Sequence, residues 1–218
     1  MQARGAPMAD MIQKLDAAAR KAPVVPVIVV DDAGQAPPLA RALVKAGVTI
    51  AEVTLRTPAG LAAIAAMKAE APELLVGAGT VLSGKDVDDA LKAGAEFLVS
   101  PGMSAGLRDA LKGRESVMIP GTATASEAMS RHEEGFQRLK LFPASIAGGA
   151  PALKALNGPL PHLKFMPTGG ISEDEVKTYL KLPNVFAIGG SWIASQKDIA
   201  EGNWANIEDI ARRLLALA

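Results

Sequence analysis

The sequence contains no cysteine and only two histidines among its 218 residues. The absence of cysteine excludes disulfides, thiolate chemistry and cysteine-ligated metals, and it is consistent with a reducing compartment. The two histidines, His132 and His162, lie far apart in the sequence and outside any HExxH-type motif. The sequence therefore predicts no metal site.

Net charge and long apolar runs are absent as well. The 23 basic residues balance 23 acidic ones, so no broad electrostatic surface indicates nucleic acid or an anionic membrane as a partner. No apolar run approaches the roughly 20 residues of a membrane span, and the N-terminus lacks the basic-then-apolar order of a signal peptide. We therefore expect a cytoplasmic protein with a small-molecule ligand, which can still be anionic.

A regular alternation of two patterns runs along the chain. Apolar, β-branched runs predict eight strands, and each run is followed by a segment with helical periodicity, which gives a βα repeat of roughly 20 to 25 residues. The sequences at 124–127 and 172–175 have the form of capping boxes, and Gly47 and Gly94 lie where helix C-caps are expected. The predicted strands cover residues 24–30, 49–55, 74–79, 96–100, 116–120, 138–142, 163–167 and 184–188.

Eight βα units in this length predict an α/β fold, a (β/α)8 TIM barrel formed as a single domain over residues 1–218. An open, doubly wound sheet is the alternative. The barrel is favoured because no strand opens with a GxGxxG turn, whereas glycine-rich turns follow the last two strands, where such barrels often bind phosphate. Apolar residues at helical spacing in 1–22 predict an extra N-terminal helix that closes the barrel floor.

A lysine interrupts the apolar run "RLKLF" at 138–142, although lysine is rarely buried without a partner. The alternation of a strand directs Lys140 into the barrel near its catalytic end, and it places Glu52 and Arg56 on one inward face of their own strand. Lys164 also has inward parity, but it starts its strand and therefore belongs at the floor.

An inward lysine, a carboxylate and an arginine together suggest an amine nucleophile that forms a Schiff base with a carbonyl substrate. Burial and a nearby Arg56 favour the neutral amine of Lys140, whereas an ionised Glu52 favours the charged one, so the two groups would titrate as a coupled pair. The alternative is that Lys140 and Glu52 form a purely structural ion pair in the core.

Six motifs in one order resemble the 2-keto-3-deoxy-6-phosphogluconate (KDPG) aldolase family: "EVTLRT" at 52–57, "VGAGTVL" at 76–82, "SPG" at 100–102, "KLFPA" at 140–144, "PTGGI" at 167–171 and "IGGSW" at 188–192. The resemblance implies a homotrimeric (β/α)8 barrel and a metal-independent, cofactor-free class I aldolase. The implied reaction cleaves KDPG to pyruvate and glyceraldehyde 3-phosphate. The resemblance also implies a second activity on 4-hydroxy-2-oxoglutarate (KHG).

The same resemblance implies a role for each matching residue. Lys140 would form the Schiff base, and Glu52 would shuttle protons. The substrate would be held by Arg56, Thr80, Pro101, Phe142 and Thr168, and its phosphate by Gly169, Gly170, Gly190 and Ser191. The chain departs from the family at Ser145, where several members carry an acidic residue after "FPA", so the loop after the sixth strand is expected to differ.

Two other functions are compatible with these motifs. Relatives that prefer the 6-phosphogalactonate epimer tend to replace the arginine and threonine that this chain retains as Arg56 and Thr168. A phosphosugar-binding barrel without catalysis would use the glycine turns alone, and the presence of Lys140, Glu52 and Arg56 argues against it.

Overall fold

Parallel strands form two sheets in the computed structural model, which describes residues 6–217, with side chains from residue 11. A six-stranded sheet has the order β5-β4-β3-β2-β1-β9, and a three-stranded sheet has the order β6-β7-β8. The chain therefore has an α/β fold whose parallel sheet forms a half-barrel. The strands are β1 Val24–Ile28, β2 Ile50–Thr54, β3 Leu75–Gly79, β4 Phe97–Val99, β5 Met118–Ile119, β6 Gly121–Thr122, β7 Arg138–Leu141, β8 Lys164–Pro167 and β9 Ile188–Gly190.

The two sheets meet at both of their edges. Only Pro120 separates β5 from β6, and a proline has no N–H to donate to a strand ladder. At the other edge, two isolated parallel bridges join Phe165 to Val185 and Thr168 to Gly189.

Seven of the eight predicted strand segments contain a strand, and the eighth is wrong in position. Of the segment 184–188 only Ile188 is in a strand, and β9 continues through Gly189 and Gly190. Glycine is depleted in strands, so the sequence indicated a turn there. The structure requires glycine at 189 because a Cβ would lie 2.3 Å from Thr168 Oγ1. Strand β6 beyond Pro120 was not predicted.

Helices follow the strands as the periodicity predicts. Both capping boxes are confirmed, with Thr124 and Ser172 as the capping residues. Gly47, with φ 95°, is the left-handed C-cap of the helix that ends at Ala46. Gly94, with φ 96°, directly follows Ala93, which is the C-cap of the helix that ends at Lys92. The helices are α1 Ala6–Lys21, α2 Ala36–Ala46, α3 Gly60–Glu70, α4 Gly84–Lys92, α5 Ala105–Ala110, α6 Ala125–Glu133, α7 Gly149–Asn157, α8 Val176–Leu180, α9 Gln196–Ala200 and α10 Trp204–Leu215.

Helix α1 packs across the amino-terminal ends of the strands. Its Leu15 and Ala19 are buried in one apolar cluster with Val25, Ile50, Leu75, Phe97, Val99, Ile119, Met166 and Ala187. Asp16 pairs with both Nε and Nη2 of Arg138, at 2.9 and 2.5 Å. The part of the predicted helix before residue 6 lies outside the described residues. No helix in the described range combines the length and apolar character that a membrane span needs.

Candidate active site

Lys140 and Glu52 form a buried pair at the centre of the molecule. The Lys140 side chain projects from β7 and that of Glu52 from β2, and the two residues are 3% and 1% exposed. The lysine Nζ donates to both carboxylate oxygens, at 3.3 Å to Oε1 and 3.4 Å to Oε2. The strand alternation predicted that both side chains point inward, and the structure shows that they contact each other. A buried charge without a partner is strongly disfavoured, so this contact accounts for the lysine in the apolar run.

Phe142 lies two residues after Lys140 in the chain, and its ring lies beside the lysine amine. The lysine Nζ is 5.2 Å from the centroid of the Phe142 ring, which is within cation–π distance. The ring also lines the two cavities described below. Phe142 therefore forms the apolar wall between the amine and the open mouth of the site.

Gly79, which the sequence reasoning missed, makes room for the Glu52 carboxylate. It pairs with Thr54 across β2 and β3, and a Cβ at this position would lie 2.1 Å from Glu52 Oε1 and 2.7 Å from its Cγ. The signal in the sequence was the glycine pair of "VGAGT", which reads equally well as a flexible turn. Only the cross-strand register shows that Gly79 faces the carboxylate.

Arg56 and Thr80 meet at the mouth, at the ends of neighbouring strands. The Arg56 side chain is exposed, and its Nε donates to Thr80 Oγ1 at 3.1 Å. Thr80 has φ +60°, the one positive value at a non-glycine position in the described chain. Such a backbone is uncommon for threonine and costs free energy. The strained turn aims the Thr80 hydroxyl at the arginine.

A cavity of about 190 Å³ is lined by Arg56 and by most of the other predicted ligand-binding residues, but not by Thr80. Gly169 and Gly170 both have positive φ, at 93° and 74°, and consecutive backbone N–H groups in such turns form concave sites for anions. No carboxylate belongs to its described lining, which is Val27, Arg56, Phe142, Thr168, Gly169, Gly170, Ile171, Gly189, Gly190, Ser191 and Trp192.

Pro101 lies away from that cavity and lines a second one of about 430 Å³. This second cavity also touches Thr122 and Phe142, and it includes the carboxylate of Glu127. The Glu127 carboxylate accepts hydrogen bonds from the backbone N–H groups of Ala123 and Thr124. These bonds, that from Ala123 above all, hold the pKa of Glu127 below its usual value. Glu127 is therefore an anion near neutral pH, and the glycine-lined cavity is the better place for a phosphate.

Lys164 lies outside the site, as the sequence predicts. It is the first residue of β8, at the amino-terminal end of that strand, and it donates from Nζ to the Pro183 carbonyl at 2.6 Å. It lines a floor cavity with Asp16 and Arg138. Of the two inward lysines, only Lys140 adjoins the mouth.

A lysine buried at the carboxyl end of a parallel strand, beside a carboxylate and a cavity suited to an anion, is the arrangement of a class I aldolase. The family model described as KDPG and KHG aldolase matches residues 15–210. Since this match covers most of the sequence, the chain belongs to the KDPG and KHG aldolase family.

Individual relatives agree with the family model. A 2-dehydro-3-deoxy-phosphogluconate aldolase of Pseudomonas aeruginosa is 42% identical over 202 residues, covering 93% of this chain and 92% of that one. The KDPG aldolase structure of Legionella pneumophila, with pyruvate captured as a covalent carbinolamine, has a TM-score of 0.87 at 42% identity over 92% and 97% of the chains. The structure of the Zymomonas mobilis KDPG aldolase with 3-phosphoglycerate has a TM-score of 0.85 at 41% identity, and the match covers 95% of this chain and 97% of that one.

Proposed function

We propose that this protein is a class I aldolase that cleaves KDPG to pyruvate and glyceraldehyde 3-phosphate through a Schiff base on Lys140. The observation that carries the proposal is the Lys140 amine, buried against Glu52 and 5.2 Å from the ring centroid of Phe142, which lines the glycine-lined cavity. A relative that holds pyruvate as a carbinolamine supports the same covalent chemistry. The family description also names KHG, which we propose as a second substrate that yields pyruvate and glyoxylate.

The scaffold for this chemistry is a single (β/α)8 barrel over residues 1–218, closed at the floor by helix α1. Two observations support closure of the half-barrel: Pro120 alone interrupts the strand shared by β5 and β6, and two bridges link β8 to the segment of β9. Assembly as a homotrimer and a cytoplasmic location remain predictions from the sequence and its resemblance.

The reaction begins when the neutral amine of Lys140 attacks the C2 ketone of the substrate. Glu52, which lies within 3.4 Å of that amine, gives and removes protons while the carbinolamine loses water to form an iminium. Removal of the C4 hydroxyl proton then breaks the C3–C4 bond, and the electron pair moves into the iminium to give an enamine. Glyceraldehyde 3-phosphate leaves, the enamine is protonated, and hydrolysis releases pyruvate and Lys140.

The remaining residues hold the two ends of the substrate. Arg56, with Thr80 and Thr168, binds the carboxylate and hydroxyls, since a guanidinium pairs well with a carboxylate. Phe142 packs beside the imine, and Pro101 closes the mouth on the far side. The phosphate binds to backbone N–H groups of Gly169, Gly170, Gly190 and Ser191 and to the Ser191 hydroxyl.

Borohydride trapping tests the central step and separates an aldolase from a phosphosugar-binding barrel. Reduction of a Schiff base with pyruvate leaves a stable secondary amine, so intact-mass spectrometry should show one three-carbon adduct per chain, and peptide mapping should place it on Lys140. Exposed lysines remain protonated near neutral pH and form imines poorly.

The control for this experiment is Lys140→Met. It should abolish the adduct, and because it leaves the buried Glu52 carboxyl without its counter-charge it should also lower the free energy of unfolding, so circular dichroism is recorded alongside to show that the variant is folded. An unmodified wild-type protein, or an adduct on Lys164 or on scattered surface lysines, would contradict the Schiff-base mechanism. The 6-phosphogalactonate epimer, assayed in parallel, should be the poorer substrate because Arg56 and Thr168 are both retained.

Ser191→Asp tests the phosphate site. The exposed Ser191 side chain lines the cavity, and a carboxylate there should raise KM for KDPG by about tenfold or more through repulsion between like charges. Phosphate-free KHG should be affected far less. Gly190→Asp would be a poorer choice, because its Cβ would lie 3.0 Å from Trp192 Nε1 and would disturb packing as well.

Ser191→Ala is the matched control, and it should weaken KDPG binding only slightly because the backbone amides remain. Steady-state kinetics on both substrates provide the measurement. Equal losses on KDPG and KHG in Ser191→Asp would show that the phosphate binds elsewhere.

A further inference from the structure

The two histidines of the chain come together on the surface, although the sequence gives no sign of it. His132 lies in the last turn of α6, and His162 lies in the segment between α7 and β8. Their ring centroids are 4.2 Å apart, with an angle of 46° between the ring planes. Both residues are exposed, so burial in a core does not explain why the rings meet.

We propose that His132 and His162 form a two-histidine binding site for a tetragonal divalent transition metal, Cu²⁺ or Ni²⁺. Neutral imidazole nitrogens are good ligands for these ions. Rings at adjacent positions of a tetragonal metal, with metal–nitrogen bonds of about 2.0 Å, have centroids roughly 4.5 Å apart, whereas a tetrahedral metal needs roughly 5 Å. The observed 4.2 Å is shorter than both values, so the rings must move apart when a metal binds, and the movement is smaller for a tetragonal ion.

The surroundings of the pair define what kind of site it is. Within residues 6–217 no three His, Cys, Asp or Glu side chains group around a common metal position. The protein therefore supplies two ligands, and water completes the coordination shell. His162 lies before the amino-terminal end of β8, whereas Lys140 pairs with Met166 further along that strand, so the histidine pair lies away from the lysine towards the amino-terminal ends of the strands. The site is thus independent of the proposed aldolase reaction.

Metal titration of the untagged chain tests the proposal. Calorimetry with Ni²⁺ should show one equivalent bound per chain, and the Cu²⁺ form should give an electron paramagnetic resonance spectrum with coupling to two imidazole nitrogens. His132→Gln and His162→Gln should each weaken Ni²⁺ binding by about tenfold or more, because one ring alone loses the chelate. KDPG cleavage should be unchanged in both variants, which also shows that they fold.

Three results would overturn the site. The wild-type chain could fail to bind Ni²⁺, the double variant could bind it as tightly as the wild type, or each single variant could keep the wild-type affinity. The second result would place the metal on other ligands, and the third would mean that the rings bind separately. The first would leave the contact as ring stacking alone.

Discussion

Glu52→Gln should lower kcat for KDPG cleavage by about 10²- to 10⁴-fold, the usual contribution of a positioned general acid–base group. In the wild-type protein the Lys140 amine is 3.3 Å from Glu52 Oε1. The glutamine amide keeps the shape of the side chain and can still contact that amine, but it cannot exchange protons with the carbinolamine. Single-turnover kinetics and borohydride trapping should show that pyruvate still reaches Lys140, at a slower rate.

The structural ion-pair alternative predicts a different outcome for the same variant. If the pair only supports the fold, Glu52→Gln leaves a buried ammonium without its counter-charge and should unfold the protein, at a cost of about 3–5 kcal/mol. Adding Lys140→Met would then restore stability. Urea denaturation of the single and double variants distinguishes the two accounts, because the catalytic role requires a folded but slow Glu52→Gln enzyme.

Gly79→Ala should lower kcat by about 10²-fold although residue 79 makes no contact with the proposed substrate. The new Cβ would lie 2.1 Å from Glu52 Oε1, so the carboxylate must move, and a displacement near 1 Å can cost about 10²-fold. Crowding of the buried site should also lower the free energy of unfolding by about 1–3 kcal/mol. Comparison of kcat on KDPG and KHG should show equal losses, since both reactions use Glu52.

Gly106→Ala is the matched control for this change. It adds the same methyl group within α5, where nothing lies within 4 Å of the new Cβ, so activity should be unchanged and stability should rise by up to about 1 kcal/mol. Wild-type kcat in Gly79→Ala would show that the carboxylate position is not critical for turnover.

Local rules were sufficient for much of the architecture. The patterns along the chain correctly predicted seven of the eight strand segments, and the sequences beginning at Thr124 and Ser172 predicted both capping boxes, because these signals depend only on neighbours within a few residues. The last strand was misplaced because Gly189 and Gly190 look like a turn. Residue 189 must be small because of Thr168, which follows a different strand, and a Cβ at residue 190 would meet Trp192.

The functional residues divide in the same way. The two-residue period of a strand determined that Lys140 and Glu52 point inward, and the motifs around them determined the family. Only the tertiary structure shows that these residues, 88 positions apart, lie 3.3 Å from each other. It also shows that Gly79 leaves space for the carboxylate and that His132 lies against His162. Such contacts depend on strand register and on the packing of distant elements, whereas periodicity carries information only along the chain.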